Sequence, residues 1–133
     1  MPMALNDNHF NITYLNPAFV QTFGYSLTDI PLMADWWQKA YPDQDYRGWA
    51  KSTWLSTLEN AKNQQLDFPP LEFTIQCKDA QNKTVLASAA PIQHDFLGEH
   101  LVILYDITQR KQMEAKLNAI FNGYSTKGVN DIV

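Results

Sequence analysis

The chain has 133 residues, 45% hydrophobic and 13% aromatic, which suits one domain with a filled core. Its formal charge of −4 argues against nucleic-acid binding, which needs clustered Lys and Arg. No apolar run reaches the roughly 20 residues that span a bilayer, Met1–Ala4 lack the basic and apolar regions of a signal peptide, and the lone Cys77 excludes a disulfide framework and a Cys-based metal site, so a cytoplasmic setting is expected.

Ala4-Leu5 reads as the end of a first strand and Asp7-Asn8-His9 as a turn. A strand over Asn11–Asn16 follows, with Ile12 and Tyr14 on one face and Thr13 and Leu15 on the other. Asn16 has the chemistry of a helix N-cap and Pro17 suits the first helical position, where a missing N–H costs nothing. Gly24 closes that helix after Phe23 by taking a left-handed conformation. Ser26–Asp29 begins a turn or short helix that Pro31 limits. The spacing of Tyr46, Trp49, Ala50, Thr53, Trp54, Leu58 and Ala61 predicts a helix over Asp43–Asn63 with one apolar face, and Asp43 and Asp45 suit the positive end of its dipole.

Phe68-Pro69-Pro70 breaks the chain. Leu71, Phe73, Ile75 and Cys77 then alternate with polar residues as in a half-buried strand. Asp79–Asn82 supplies a turn, and Lys83–His94 a long strand in which Pro91 implies an edge or a bulge. Asp95–Glu99 is the next turn. His100–Thr108 is the last strand, with Leu101, Ile103, Tyr105 and Ile107 assigned to the apolar face. It passes without Gly or Pro into a charged helix carrying Met113, Leu117 and Ile120 at i, i+4, i+7. Gly123 and Gly128 are expected to end that helix. The fold class implied is α+β: an antiparallel sheet of about five strands, helices on one face and a C-terminal exit helix. Residues 1–108 form the domain, 109–121 the exit helix or coiled-coil linker, and 122–133 a flexible tail.

Several short words in this order resemble a PAS domain. They are Asn16-Pro17-Ala18-Phe19 with Phe23-Gly24-Tyr25, then Tyr41-Pro42-Asp43, then Asp106-Ile107-Thr108-Gln109-Arg110-Lys111. The pattern of Trp36-Trp37, Tyr46-Arg47, Trp49, Trp54 and Cys77-Lys78-Asp79 is similar to a subgroup attached to histidine kinases and diguanylate cyclases. The resemblance covers roughly Ala4 to Leu117. It implies the PAS fold and a sensory module of a multidomain bacterial signalling protein, with a histidine kinase or GGDEF diguanylate cyclase output elsewhere in the same polypeptide.

The residues then bound what such a module holds. Phe19, Phe23, Trp36, Trp37, Trp49, Trp54 and Phe73 are candidate walls of a ligand pocket, with Thr53, Thr74, Ser88 and Tyr105 as its polar groups. The same aromatic residues can equally fill the core. No Asn-Cys-Arg-Phe-Leu-Gln stretch of a flavin-binding light sensor is present, and the long helix has no His for haem. His9, His94 and His100 fall in or beside turns and read as solvated. No cofactor is expected, while a small organic ligand stays open. Asp35 and Glu72 lack a partner at a diagnostic spacing, and no phosphate loop or nucleophile elbow appears, so no catalytic residue is assigned.

Asp106, Ile107 and Thr108 are the expected signal relay. Asp106 and Gln109 have capping-box spacing, and Thr108 is a second cap candidate. Met113, Leu117 and Ile120 are expected in a coiled coil between two copies of the chain. A homodimer with an effector domain in the same polypeptide is expected, with no nucleic acid, direct membrane contact or metal. Two other readings stand beside this one: a cone-shaped NTF2-like enzyme or ligand carrier, and a structural dimerisation domain with no ligand.

Overall fold

The computed structural model describes residues 1–64, 68–92 and 98–132, with side chains for 1–63, 68–92 and 98–123. Five strands and four helices follow in the order β1 (Met3–Asn6), β2 (Ile12–Leu15), α1 (Pro17–Phe23), α2 (Met33–Ala40), α3 (Gln44–Gln64), β3 (Leu71–Gln76), β4 (Asn82–Pro91), β5 (His100–Asp106) and α4 (Thr108–Ile132). The strands form one antiparallel sheet ordered β2-β1-β5-β4-β3. The expected α+β class and five-stranded sheet are therefore present, and β3-β4-β5 is the expected meander. His94 and the centre of the Asp95–Glu99 turn lie outside the described residues.

Local chemistry accounts for the first helix. Asn16 Oδ1 accepts from Phe19 N–H at 2.9 Å and from Met3 N–H at 2.9 Å, so one side chain caps α1 and fixes the start of β1. Gly24 ends α1 at φ 84° and donates its N–H to the Val20 carbonyl. A Cβ there would stand 3.0 Å from Lys78 Cβ, so both conformation and space require glycine. Tyr25 donates its hydroxyl to the Gln76 carbonyl at 2.6 Å, tying this corner to the end of β3.

Four sequence expectations need correction. First, β2 does not alternate: Ile12 and Leu15 are buried, whereas Thr13 and Tyr14 are exposed. Leu5 pairs with Tyr14 but Asn6 with Ile12, and the residue inserted by this bulge turns Ile12 and Leu15 to the same side. Second, α2 occupies Met33–Ala40, where no helix is predicted. Asp35, given no role in the sequence reading, accepts the Leu32 N–H at 3.0 Å and so satisfies a donor at the helix start.

Third, β5 buries Val102 and Leu104, not the set of Leu101, Ile103 and Tyr105. Cross-strand partners share a face, and Ala87 and Ala89 pair with Leu104 and Val102, so all four point into the core. Tyr105 is exposed on the other side. Ile107 is buried because it lies past the strand, where the chain turns into α4. Fourth, α4 continues through Gly123 and Gly128 to Ile132. A glycine inside a helix costs about 1 kcal/mol against alanine, which weakens a helix without obliging it to stop.

Pro91 is the last residue of β4, opposite His100, where a missing donor interrupts no ladder. The core lies between the helices and the inner face of the sheet, with Phe23, Ile30, Phe73, Ile75, Val85 and Ile107 its largest fully buried side chains.

Candidate functional site

The aromatic residues proposed as pocket walls divide sharply. Phe19, Phe23, Trp36, Trp37, Trp54 and Phe73 are all buried. Trp36 sits at their centre, with ring centroids 5.6 Å from Phe19, 6.0 Å from Tyr25 and 6.0 Å from Tyr41. The cavity left between this cluster and the sheet is only about 30 Å³. That is the share of one water in the liquid, against the several hundred Å³ of an ordinary ligand pocket. These residues therefore pack the core.

The other candidates stand apart from it. Trp49 is 53% exposed and leans on Tyr46 and Phe73. Thr53 is half-buried and lines neither this cavity nor the cleft described next. Thr74 is exposed, with its backbone N–H on the Tyr46 hydroxyl at 2.8 Å. Ser88 lies on the outer side of β4 and donates to the Phe68 carbonyl at 3.0 Å. Tyr105 is on the outer face, because β5 takes the opposite phase to the one expected.

The space is instead beside the cluster. A cleft of about 380 Å³ opens between α2, α3, the β1–β2 turn and the start of β5. Met33, Trp37, Trp54, Leu55 and Leu58 give it apolar walls; Lys51 and Lys62 stand on its α3 side. Asn6 and His100 are the two buried polar residues of the described chain, and both line it. The expected solvated His100 is thus corrected: it is 5% exposed, carried inward by the same phase that buries Val102 and Leu104. Burial pushes its pKa below the usual value, and the nearby Lys62 adds to this, so the neutral imidazole is favoured.

At the mouth, Phe10 is 60% exposed and has φ 63°, a left-handed conformation unusual for a bulky side chain. The sequence reading named two of this cleft's walls, Trp37 and Trp54, but none of Asn6, Lys51, Lys62 and His100. Lys51, Leu55, Leu58 and Lys62 recur at helical spacing as a second stripe on α3, and that was the available signal.

The strand–helix joint is built as one hydrogen-bonded knot. Asp106 Oδ1 accepts both the backbone N–H of Thr108, at 3.0 Å, and its hydroxyl. Thr108 Oγ1 in turn accepts the Thr84 N–H at 3.1 Å, and the Ile107 N–H donates to the Thr84 carbonyl at 2.9 Å. Lys83 lies 3.7 Å from Asp106, and Lys111 makes an ion pair with Glu72 at 3.1 Å. Two adjacent sheet strands therefore hold the first turn of α4. The capping box between Asp106 and Gln109 does not form, because Asp106 reaches the residue two ahead and Thr108 takes the sheet contact. Beyond this knot α4 is exposed: Met113, Leu117, Ile120 and Phe121 are each more than half accessible.

Cys77 is buried just after β3, its Sγ 3.9 Å from the Thr22 carbonyl, and burial pushes the thiol pKa up. No group of three or more His, Cys, Asp or Glu among the described residues is arranged to hold a metal ion. No helix among them is long and apolar enough to cross a membrane.

Comparison with known proteins agrees with this geometry. Residues 1–59 match the family model described as a PAS domain. A sensory box histidine kinase/response regulator from Burkholderia thailandensis superposes with TM-score 0.64 at 14% identity, covering 94% of this chain and 90% of that one. A domain of a sensory box sensor histidine kinase/response regulator from Geobacter sulfurreducens gives 0.56 at 22% identity over 79% and 82%. The N-terminal domain of a diguanylate cyclase with PAS/PAC sensor from Marinobacter aquaeolei gives 0.60 at 9% identity over 83% and 97%. No curated protein matches the chain. The fold is that of PAS domains, and the first 59 residues match that family's model, so the cone-shaped alternative is set aside.

Proposed function

We propose that this PAS domain is the sensory module of a multidomain bacterial signalling protein, acting in the cytoplasm. It converts an event at its ligand-binding side into a change in α4. The output, histidine autophosphorylation or cyclic dinucleotide synthesis, belongs to a domain outside this chain, as does any catalysis. The observation that carries the reading is the knot at Asp106, Ile107 and Thr108. One threonine hydroxyl links the sheet backbone at Thr84 to the carboxylate that satisfies a donor at the start of α4. A joint made of a few hydrogen bonds, each worth about 1 kcal/mol net, can exchange between two arrangements at small cost. A ligand shifts such an exchange only through unequal affinity for the two.

The chemistry of the core argues against the cofactors known from PAS relatives. The core cavity is about 30 Å³, Cys77 is a buried thiol of raised pKa, and α3 carries no His, which supports a module without flavin or haem. The exposed stripe of Met113, Leu117 and Ile120 supports pairing of α4 with its copy in a homodimer, the arrangement that passes a change symmetrically to two output domains. The ligand-free structural module remains the competing reading, favoured by the filled aromatic core.

Hydrogen exchange of the full chain tests the relay. Thr108→Val removes the bridging hydroxyl while keeping the side-chain shape. The account predicts roughly fivefold faster exchange at Thr84 and in the first turns of α4, as expected for the loss of about 1 kcal/mol, with β3 and the rest of β4 unchanged. Equal exchange in the two proteins would remove the joint from the mechanism.

A further inference from the structure

We propose that the cleft between α2, α3 and the β1–β2 turn binds a small aromatic carboxylate that carries a hydrogen-bond donor on its ring. The proposal rests on the sensory reading for its purpose, but its evidence is independent of the strand–helix joint.

Three features of the cleft select this chemistry. Its walls are apolar and aromatic, with Trp37 and Trp54 among them, and its volume of about 380 Å³ suits a ligand of one or two rings. Its depth holds Asn6, 4% exposed. Asn6 Nδ2 donates to Met33 Sδ at 3.0 Å. A thioether sulfur only accepts, so this contact assigns Nδ2 to Met33 and leaves Oδ1 as the amide's acceptor. Oδ1 has no hydrogen-bond partner. A buried acceptor without a donor is destabilising, and a ligand N–H or O–H reaching it relieves that cost.

The charge balance selects an anion. Lys51 and Lys62 both line the cleft, and neither makes an ion pair among the described residues. Asp7, the one carboxylate of the lining among the described residues, is occupied by its own turn: it accepts from the His9 and Asn11 N–H groups and from Asn11 Nδ2, each at 2.9 Å. Those hydrogen bonds outweigh its desolvation and hold its pKa down, so it stays a satisfied anion at the rim. The available charge of the cleft is therefore positive, on a chain whose formal net charge is −4. Phe10, held at the mouth in a left-handed conformation, adds an aromatic face over the entrance.

Indole-3-acetate has the required ring, N–H and carboxylate, and serves as the probe. Titrated into the full-length chain and followed by the tryptophan indole N–H resonances, it is expected to move Trp37 and Trp54, with half-saturation at about 1 mM or below. Trp49, exposed elsewhere on α3, is expected to stay still. The double surface variant K51Q/K62Q is expected to weaken binding about tenfold, and tryptamine, which replaces the carboxylate with a cation, to bind at least as poorly. 1-Methylindole-3-acetate, which lacks the donor, is expected to bind several-fold more weakly.

Shifts at Trp49 without shifts at Trp37 and Trp54, or equal binding of tryptamine, would overturn the site. Equal binding of the methylated acid would overturn the role of Asn6. Saturation of Trp37 and Trp54 with no change in the α4 amides supports the site and contradicts the relay. Absence of any shift at about 10 mM contradicts the site and leaves the relay to its own test.

Discussion

Trp36 and Trp49 are the same residue type on neighbouring helices, with opposite expected consequences. Trp36 is 6% exposed at the hub of four aromatic contacts, so Trp36→Ala should cost about 3–5 kcal/mol, a large share of the stability of a small domain. Trp49 is 53% exposed and Trp49→Ala should cost about 1 kcal/mol or less. Urea unfolding of both variants checks this; equal losses would contradict the division between core and surface. His100 makes a second residue-scale prediction. Its folded pKa lies below the ordinary 6.5, so the unfolded chain takes up the proton first as pH falls. Stability from this group is complete above about pH 6.5 and is lost below it, down towards the folded pKa. His100→Gln should flatten the fall in urea midpoint between about pH 7.5 and 5.5. The salt-bridged Asp29, with its pKa lowered to about 2, acts in a separate window below about pH 4. An unchanged slope in His100→Gln would place the acid sensitivity elsewhere.

At the scale of elements, legibility followed the strength of local chemistry. α1 was readable because Asn16, Pro17 and Gly24 each have a backbone reason for their position. α3 was readable from its periodicity, and β3 from its alternation. β5 was not, because Leu101-Val102-Ile103-Leu104 is apolar on both faces and alternation cannot choose between them. Only pairing with Ala87 and Ala89, both far away in sequence, fixes the phase. That one error displaced Tyr105 from the site and hid His100. α2 escaped because its start is marked by Asp35 reaching back to Leu32, without a capping serine or threonine. For α4 the exposed apolar stripe carries the prediction. Leu117→Asp should convert a dimer of the full chain to monomer in sedimentation, since a charge at a helix seam forfeits its apolar burial. A wild-type chain that stays monomeric at every accessible concentration would contradict the paired helix.

Over the whole molecule, the parts divide into a packed aromatic centre, a cleft and a hydrogen-bonded strand–helix joint. The aromatic cluster leaves about 30 Å³; the cleft of about 380 Å³ lies on one side of the domain, and the knot at Thr108 lies where β5 passes into α4. Close-packed interiors transmit displacement because they cannot absorb it. The strand–helix joint was legible in the sequence, through Asp106-Ile107-Thr108. The cleft was less legible, since its residues come from four separate stretches of chain. The central claim is that the joint occupies two states. Relaxation dispersion of the backbone amides reports exchange in microseconds to milliseconds. The account predicts dispersion with one common rate at Thr84, Ile107, Thr108 and Lys111 in the wild-type chain, altered together in Thr108→Val. Flat profiles at all four amides would contradict it.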